Sequence, residues 1–195
     1  MISPRKKTKR KTRFLSVYTA TYNRPQLLDR CMTSVLRQSL PCEHIIVHDH
    51  VGLGVAGMYT DVKNHAHRCT GDYVMMLNDD DYLRHNDVVW DLWQADHGSD
   101  AEVLMFRGDL CGEIYPREDS WRFAPNLGSV CISNFAMRND IWLKHARDWQ
   151  PIYEADFAMI DLLWKQNYTF KWLDPVVFVV DRVSRGQPEL ESATS

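Results

Sequence analysis

No stretch of this sequence is apolar for the ~18–20 residues that a bilayer-spanning helix needs, so no such helix is expected. The charged N-terminus has no apolar h-region behind it, and no signal peptide is expected. Cysteine is sparse and odd in number. Cys31, Cys42, Cys69, Cys111 and Cys131 are scattered, without a C-x-x-C pair. That pattern points away from a disulfide framework or a cysteine zinc site and toward reduced thiols in a cytoplasmic setting. There is no internal repeat, no interdomain linker and no RNA- or DNA-binding motif. With 195 residues, 45% hydrophobic and 25% charged, one soluble globular domain with a real core is the natural expectation.

Positive charge is concentrated in one place. Residues 5–13, RKKTKRKTR, hold seven of the 23 Lys and Arg and no acid, which leaves the remainder at a formal −10 against +7. A short basic tail on an acidic body suggests an anionic partner, either nucleic acid or an anionic membrane surface. The alternatives are a solubilising disordered tail and one that folds onto its own acidic body.

The chain is organised around residues 73–83, YVMMLNDDDYL. The wholly apolar run 73–77 reads as a strand buried on both faces, as parallel strands are. It stops at Asp79, Asp80 and Asp81. Three adjacent carboxylates repel one another, and a hard divalent cation resolves that conflict. The carboxyl end of a buried strand is also where open α/β sheets bind ligands. The bland alternative is a solvated acidic turn that starts the next helix.

Around this stretch, residues 14–19 and 44–49 are the first and second strand candidates. Thr21-Tyr22-Asn23-Arg24-Pro25 forms a turn, with Pro25 suited to a helix's first turn. Leu27, Leu28, Cys31, Met32, Val35 and Leu36 then repeat at helical spacing. A glycine turn, Gly52, Gly54 and Gly57, leads into a second helix over 58–69, which Gly71 closes. The first half therefore reads β-α-β-α-β, a parallel sheet with Thr21, Asp49 and the acidic cluster along one rim. Further on, residues 87–95, 140–147 and 154–166 are helix candidates, the last with Phe157, Ile160, Leu163 and Trp164 inward. Residues 102–106, 129–137, 169–173 and 176–180 are strand candidates, and 108–128 a long loop or hairpin. The domain is expected over 14–184, between a basic disordered tail at 1–13 and a flexible tail at 185–195.

These parts, in this order, resemble a family-2-type glycosyltransferase of the GT-A fold. The resemblance covers residue 14 to about 180. It rests on T-Y-N-R after strand one, a carboxylate after strand two, and G-D-Y-V-M-M-L-N-D-D-D followed by a second acid opening a late helix. It implies a single α/β domain with a Rossmann-like, mostly parallel central sheet flanked by helices. Departures from the family pattern are Ala20 in place of a common proline, Asn78 at the first place of the D-x-D motif, and Glu154-Ala155-Asp156 at the late helix. No histidine stands near Ser184. The resemblance implies a nucleoside-diphosphate sugar donor, foremost a UDP-sugar. Thr21, Tyr22 and Arg24 would line its base and ribose side. Asp49, or His48 one place earlier, would accept from the base, and Asn78 or Asp79 would reach the ribose. Mn2+ or Mg2+ would be held by Asp80, with Asp81 the second candidate. The D-x-D register is either Asn78-Asp79-Asp80 or Asp79-Asp80-Asp81. Asp156 would be the base that deprotonates the acceptor hydroxyl, with inversion at the sugar. Loop 108–128 would shape the acceptor, a nucleic acid with a hydroxylated base or a lipid-linked or surface glycan.

Other readings use the same residues. Gly52, Gly54 and Gly57 spell G-x-G-x-x-G, the signature of an NAD(P)-dependent oxidoreductase, although His48-Asp49-His50-Val51 separates the strand from the glycines. A catalytically inactive GT-A binding module is a third possibility. His48 and His50 could chelate on one strand face, whereas His65 and His67 on a helix would not face together. Trp121, Trp149 and Tyr153 are candidates for a stacking platform, and Arg182 and Arg185 for diphosphate contacts.

Overall fold

The computed structural model describes residues 13–50, 52–117, 122 and 124–180. The basic tail up to residue 12, Trp121, Arg182, Arg185 and the C-terminal tail lie outside the described residues.

Three short apolar segments form β1 (Leu15–Thr21), β2 (Glu43–His48) and β3 (Tyr73–Met76), all parallel, with Thr21 opposite His48 and Tyr18 opposite Met76. The crossovers are α1 (Pro25–Leu36) and α2 (Val55–His65), followed by one 3-10 turn over Ala66–Arg68. Pro25 opens α1, where its missing N–H costs nothing. Within α1, Cys31 and Val35 are buried, but Leu36 is 76% exposed. One residue past Val35 lies about 100° round the helix, off the inward stripe.

The second half is β4 (Tyr82–Leu83), α3 (Val88–Asp96), β5 (Val103–Leu110), β6 (Glu113–Tyr115), β7 (Phe135–Arg138), α4 (Asn139–His145), α5 (Ala155–Lys165) and β8 (Phe170–Val180). The strand order is β2-β1-β3-β7-β5-β8-β4, with β6 paired on β5. The sheet is parallel where β2, β1 and β3 adjoin, as expected, and mixed beyond. β7 runs antiparallel to both β3 and β5, β5 and β8 are parallel, and β4 is antiparallel to β8. The change of sense follows from connectivity, because β7 is entered from a loop and a 3-10 turn (Ile132–Asn134) rather than from a crossover helix. The strand expected over 129–137 is thereby confined to Phe135–Arg138, one residue past its expected end. The two late strands are one. Pro175 is carried inside β8 where the pairing jumps from Met105↔Trp172 to Arg107↔Val176, a bulge that asks nothing of its missing N–H.

Alternation along the strands sorts the core onto two faces. Tyr18, Val74, Met76, Met105 and Met137 pack with Tyr59, Val62, Trp142, Ile160 and Leu163 of the helices on one side. Leu15, Val17, Met75, Leu104 and Phe106 pack with Cys31, Val35, Val89 and Leu92 on the other. Each such side chain contributes roughly 1.5–3 kcal/mol by burial. Trp164 of α5 turns outward and packs edge-on against Phe170. All five cysteines are free. Among the described residues no helix is long and apolar enough to cross a membrane.

Gly71 lets β3 start tight against β1. A Cβ there would stand 2.6 Å from the Ser16 nitrogen, and the Gly71 N–H donates to Ser16 Oγ at 2.8 Å. Gly71→Ala is expected to cost about 1–3 kcal/mol by overpacking against backbone, read as a lower urea midpoint at unchanged slope.

Candidate active site

The carboxyl ends of β1, β2 and β3 open onto a cleft of about 1000 Å3. Thr21, Tyr22, Arg24, Asp49, Asn78, Asp79 and Asp80 line it, and Asp156 and Phe157 from α5 do so as well. Seven of the eight residues expected on the donor and metal side therefore meet in one place, together with the expected base. The eighth, Asp81, does not.

The acidic turn gives three adjacent carboxylates three different environments. Asp79 points inward. It accepts from Thr21 Oγ1 at 2.7 Å, and Arg24 lies 2.9 Å from its other oxygen as an ion pair. That oxygen, Oδ1, has no aligned hydrogen-bond partner although it is buried. Asp80 faces the cleft and accepts from Arg24 Nη1 at 2.7 Å. Burial raises its carboxyl above the ordinary range against the pull of Arg24. Asp81 is 2% exposed and lies beneath the rim, accepting from Ser133 Oγ at 3.1 Å and from Asn78 Nδ2 at 3.3 Å. The second metal candidate is thus turned away from the cleft and ties the acidic turn to the segment before β7.

Arg24 bridges two carboxylates, a role that its expected place beside the base and ribose did not include. Arg30 braces the turn from behind. Its Nη2 donates to the Asp80 carbonyl at 2.6 Å, and its guanidinium lies 4.6 Å over the Tyr82 ring. An arginine within the apolar spacing of α1 was the signal for it.

Asp49 accepts from the N–H groups of Gly52 and Leu53, both at 2.9 Å, and so folds the glycine turn onto itself. Gly52 has φ +74 and lies under Tyr22, whose ring atom would be 2.5 Å from an added Cβ. Gly54 has φ +58 and opens α2. The N–H groups that would cradle a pyrophosphate in a dinucleotide site are therefore spent on a carboxylate. Asp49 retains lone pairs for a further donor.

Asp156, which lines the same cleft, sits in the first turn of α5. Its Oδ1 accepts from the Phe157 N–H at 2.7 Å. Burial raises its carboxyl above the ordinary aspartate range, with these backbone bonds opposing. Tyr153, 86% exposed, lines the same wall. Trp149 does not join it. It is buried, stacked 5.2 Å from Tyr59 and 6.4 Å from Phe135, and so belongs to the core. Leu127 and Gly128, from the end of the loop expected to shape the acceptor side, line the cleft, whereas sequence reasoning missed Met58, Tyr59, Val130, Cys131 and Ile132 as cleft residues. His48 and His50 stack at 6.3 Å, and among the described residues no three His, Cys, Asp or Glu converge on one point.

A scan against protein-family profiles and a search of curated proteins gave no match. Solved structures do match. S. aureus TarS residues 1–349 in complex with UDP-GlcNAc superposes with a TM-score of 0.64 at 14% identity, over 87% of this chain and 58% of that one. A second S. aureus TarS structure gives 0.63 at 14% identity, over 86% of this chain and 36% of that one. The mannosyltransferase PcManGT from Pyrobaculum calidifontis, in complex with GDP-Man and Mn2+, gives 0.61 at 14% identity, over 85% and 56%. The chain thus spans about a third to three fifths of the length of these proteins. Its single α/β domain, a mixed central sheet flanked by helices, has a GT-A-like glycosyltransferase fold.

Proposed function

We propose that this chain is a metal-dependent glycosyltransferase that moves a sugar, a hexose foremost, from a nucleoside-diphosphate sugar to an acceptor hydroxyl with inversion. One observation carries the reading: a single cleft at the carboxyl ends of three parallel strands is lined by Thr21, Tyr22, Arg24 and Asp49, by an acidic turn (Asn78, Asp79, Asp80) and by a further carboxylate from α5 (Asp156). Complexes of the same fold with UDP-GlcNAc, and with GDP-Man and Mn2+, support it. A UDP-sugar is the first donor to test.

The residues fit a divalent cation. Asp80 offers a hard carboxylate at the cleft, and Asp79 Oδ1 is a buried acceptor short of an aligned donor. One or two carboxylates completed by substrate phosphates are the usual Mg2+ arrangement. The exposures favour the register Asn78-Asp79-Asp80, with Asp80 as the ligand. When bound, the metal supplies charge neutralisation on the departing nucleoside diphosphate. The chain's own residues do the rest. Thr21 and Arg24 fix Asp79 beside Asp80, Asn78 at the first place of that register reaches the ribose, and Asp49 meets the base. Asp156 takes the acceptor O–H proton as the acceptor oxygen bonds to the anomeric carbon and the bond to phosphate breaks on the opposite face.

Calorimetric titration of UDP, with and without Mn2+, tests this on the wild type and on Asp80→Ala. Metal-dependent binding that the variant loses is the expected result. Failure of UDP to bind under either condition, with GDP equally silent, would overturn the nucleotide-sugar reading.

A further inference from the structure

At the edge of the sheet opposite the cleft, where β1 and β3 begin, β7 ends and α3 finishes, lie two adjoining hollows of about 470 and 390 Å3. They share Tyr73, Ser99, Arg138 and Asp140. Together they form a groove with an aromatic wall of Phe14 and Trp93 and four carboxylates, Asp72, Asp96, Asp100 and Asp140. Arg138, the groove's arginine, is committed to Asp140 at 2.7 Å and to Glu102 at 3.2 Å. Trp93 continues into an aromatic ladder, 5.1 Å from Trp90 and 5.2 Å from His97.

Asn139 adds an independent sign. It lines the groove and is 4% exposed. Its Nδ2 donates to the carbonyls of Cys69 and Gly71, but its Oδ1 has no hydrogen-bond partner among the described residues. A buried acceptor without a donor, beside carboxylates and the half-buried rings of Phe14 and Trp93, is complementary to ammonium and guanidinium groups.

We propose that the groove is a docking site for a basic peptide, and that its occupant is residues 5–12 of this same chain. Phe14 is itself part of the wall, and the residues before it read RKKTKRKTR, the only long basic run in the sequence. Eight extended residues reach about 26 Å, enough to follow the groove. Tethering one residue from the wall gives the segment an effective concentration on the order of millimolar before any specific contact is counted. The charge imbalance, +6 on residues 5–12 against −9 on the remainder, has the right sign. The groove is remote from the donor cleft, and this inference stands whether or not the chain transfers sugars.

Zero-length carbodiimide cross-linking of the full chain, with peptide mapping of the monomer fraction, tests it. Lys6, Lys7, Lys9 or Lys11 should be joined to Asp72, Asp96, Asp100 or Asp140 within one chain. Yield should fall several-fold as salt is raised from about 0.01 M to about 1 M, which shortens the screening length from about 30 Å to about 3 Å. The exposed double variant Asp72→Lys, Asp100→Lys should lose most of the links while its circular dichroism stays native. Absence of these links at low salt, links only between chains, or links to Asp79, Asp80 or Asp156 would each overturn the proposal. So would tight binding of duplex DNA at low salt by a chain that shows no groove links, which would give the segment to nucleic acid instead.

Discussion

Asp156→Asn is expected to lower sugar turnover about 10²–10⁴-fold, the usual loss on removing a positioned general base, while leaving metal-dependent UDP affinity nearly unchanged. Asparagine fills the same volume at the start of α5 and can still accept from the Phe157 N–H, so the helix keeps its first turn. What it cannot do is take a proton. The wild-type pH profile provides a second readout. Burial raises the Asp156 carboxyl above the ordinary aspartate range, so the basic form, and kcat/KM with it, is lost as pH falls through that raised value. The acidic limb of the profile should therefore sit above the range of an exposed aspartate and be absent from the residual activity of the variant. Turnover of the UDP-sugar at the wild-type rate by Asp156→Asn would remove the residue from the chemistry. Loss of UDP binding together with turnover would make it a structural residue.

The second large effect concerns Asp81 and stability rather than rate. Burial, and then the neighbouring charge of Asp80, push its carboxyl from 3.8 up to about 7 against the bonds from Ser133 and Asn78. A carboxyl whose folded value is raised leaves the native state holding the extra proton between those two values. Its stabilising share is complete below the unfolded value and is lost as pH rises through the folded one. The difference amounts to about 4 kcal/mol. Urea unfolding in metal-free buffer at about pH 4 and about pH 8 should show wild type losing several kcal/mol more than Asp81→Asn across that interval. Asparagine keeps an acceptor for Ser133 and has nothing to titrate. Identical pH slopes for the two proteins would show that the cost lies elsewhere.

The parallel half of the sheet was legible because its signals are local. Residues 73–77 are apolar throughout and end on acids, and each strand before them is followed by a turn and then a helix. Thr21, Asp49, Asp79 and Asp80 reach one rim because parallel strands aligned in register end together. The direction of Asp81 was not legible. In a tight turn three identical letters in a row point three ways, and only Ser133, far along the chain, shows which of them is buried. The insertion of β7 between β3 and β5 was illegible for the same reason, since pairing across a long loop leaves no mark on either strand's own sequence. Trp149 could be read as an exposed platform until Tyr59 and Phe135 were found on its two faces. Nothing in the periodicity of 169–180 indicated that Pro175 would be absorbed into a single strand. That depends on the bulge β8 makes against β5 at that point.

The order of the strands also bears on how the protein comes into being. β3 stands in the interior of the sheet, yet the strand that covers its second edge begins only at Phe135, and β5 in turn awaits β8. A nascent chain emerging from the ribosome exposes the bare, apolar flank of residues 73–77 throughout the synthesis of everything between. Such an edge is a template for any other strand that meets it. Zipping up in the order of translation cannot close this sheet. Its last hydrogen-bonded neighbours, Tyr82 on β4 and Val179 on β8, are separated by about half of the chain, and contacts of that sequence separation slow folding.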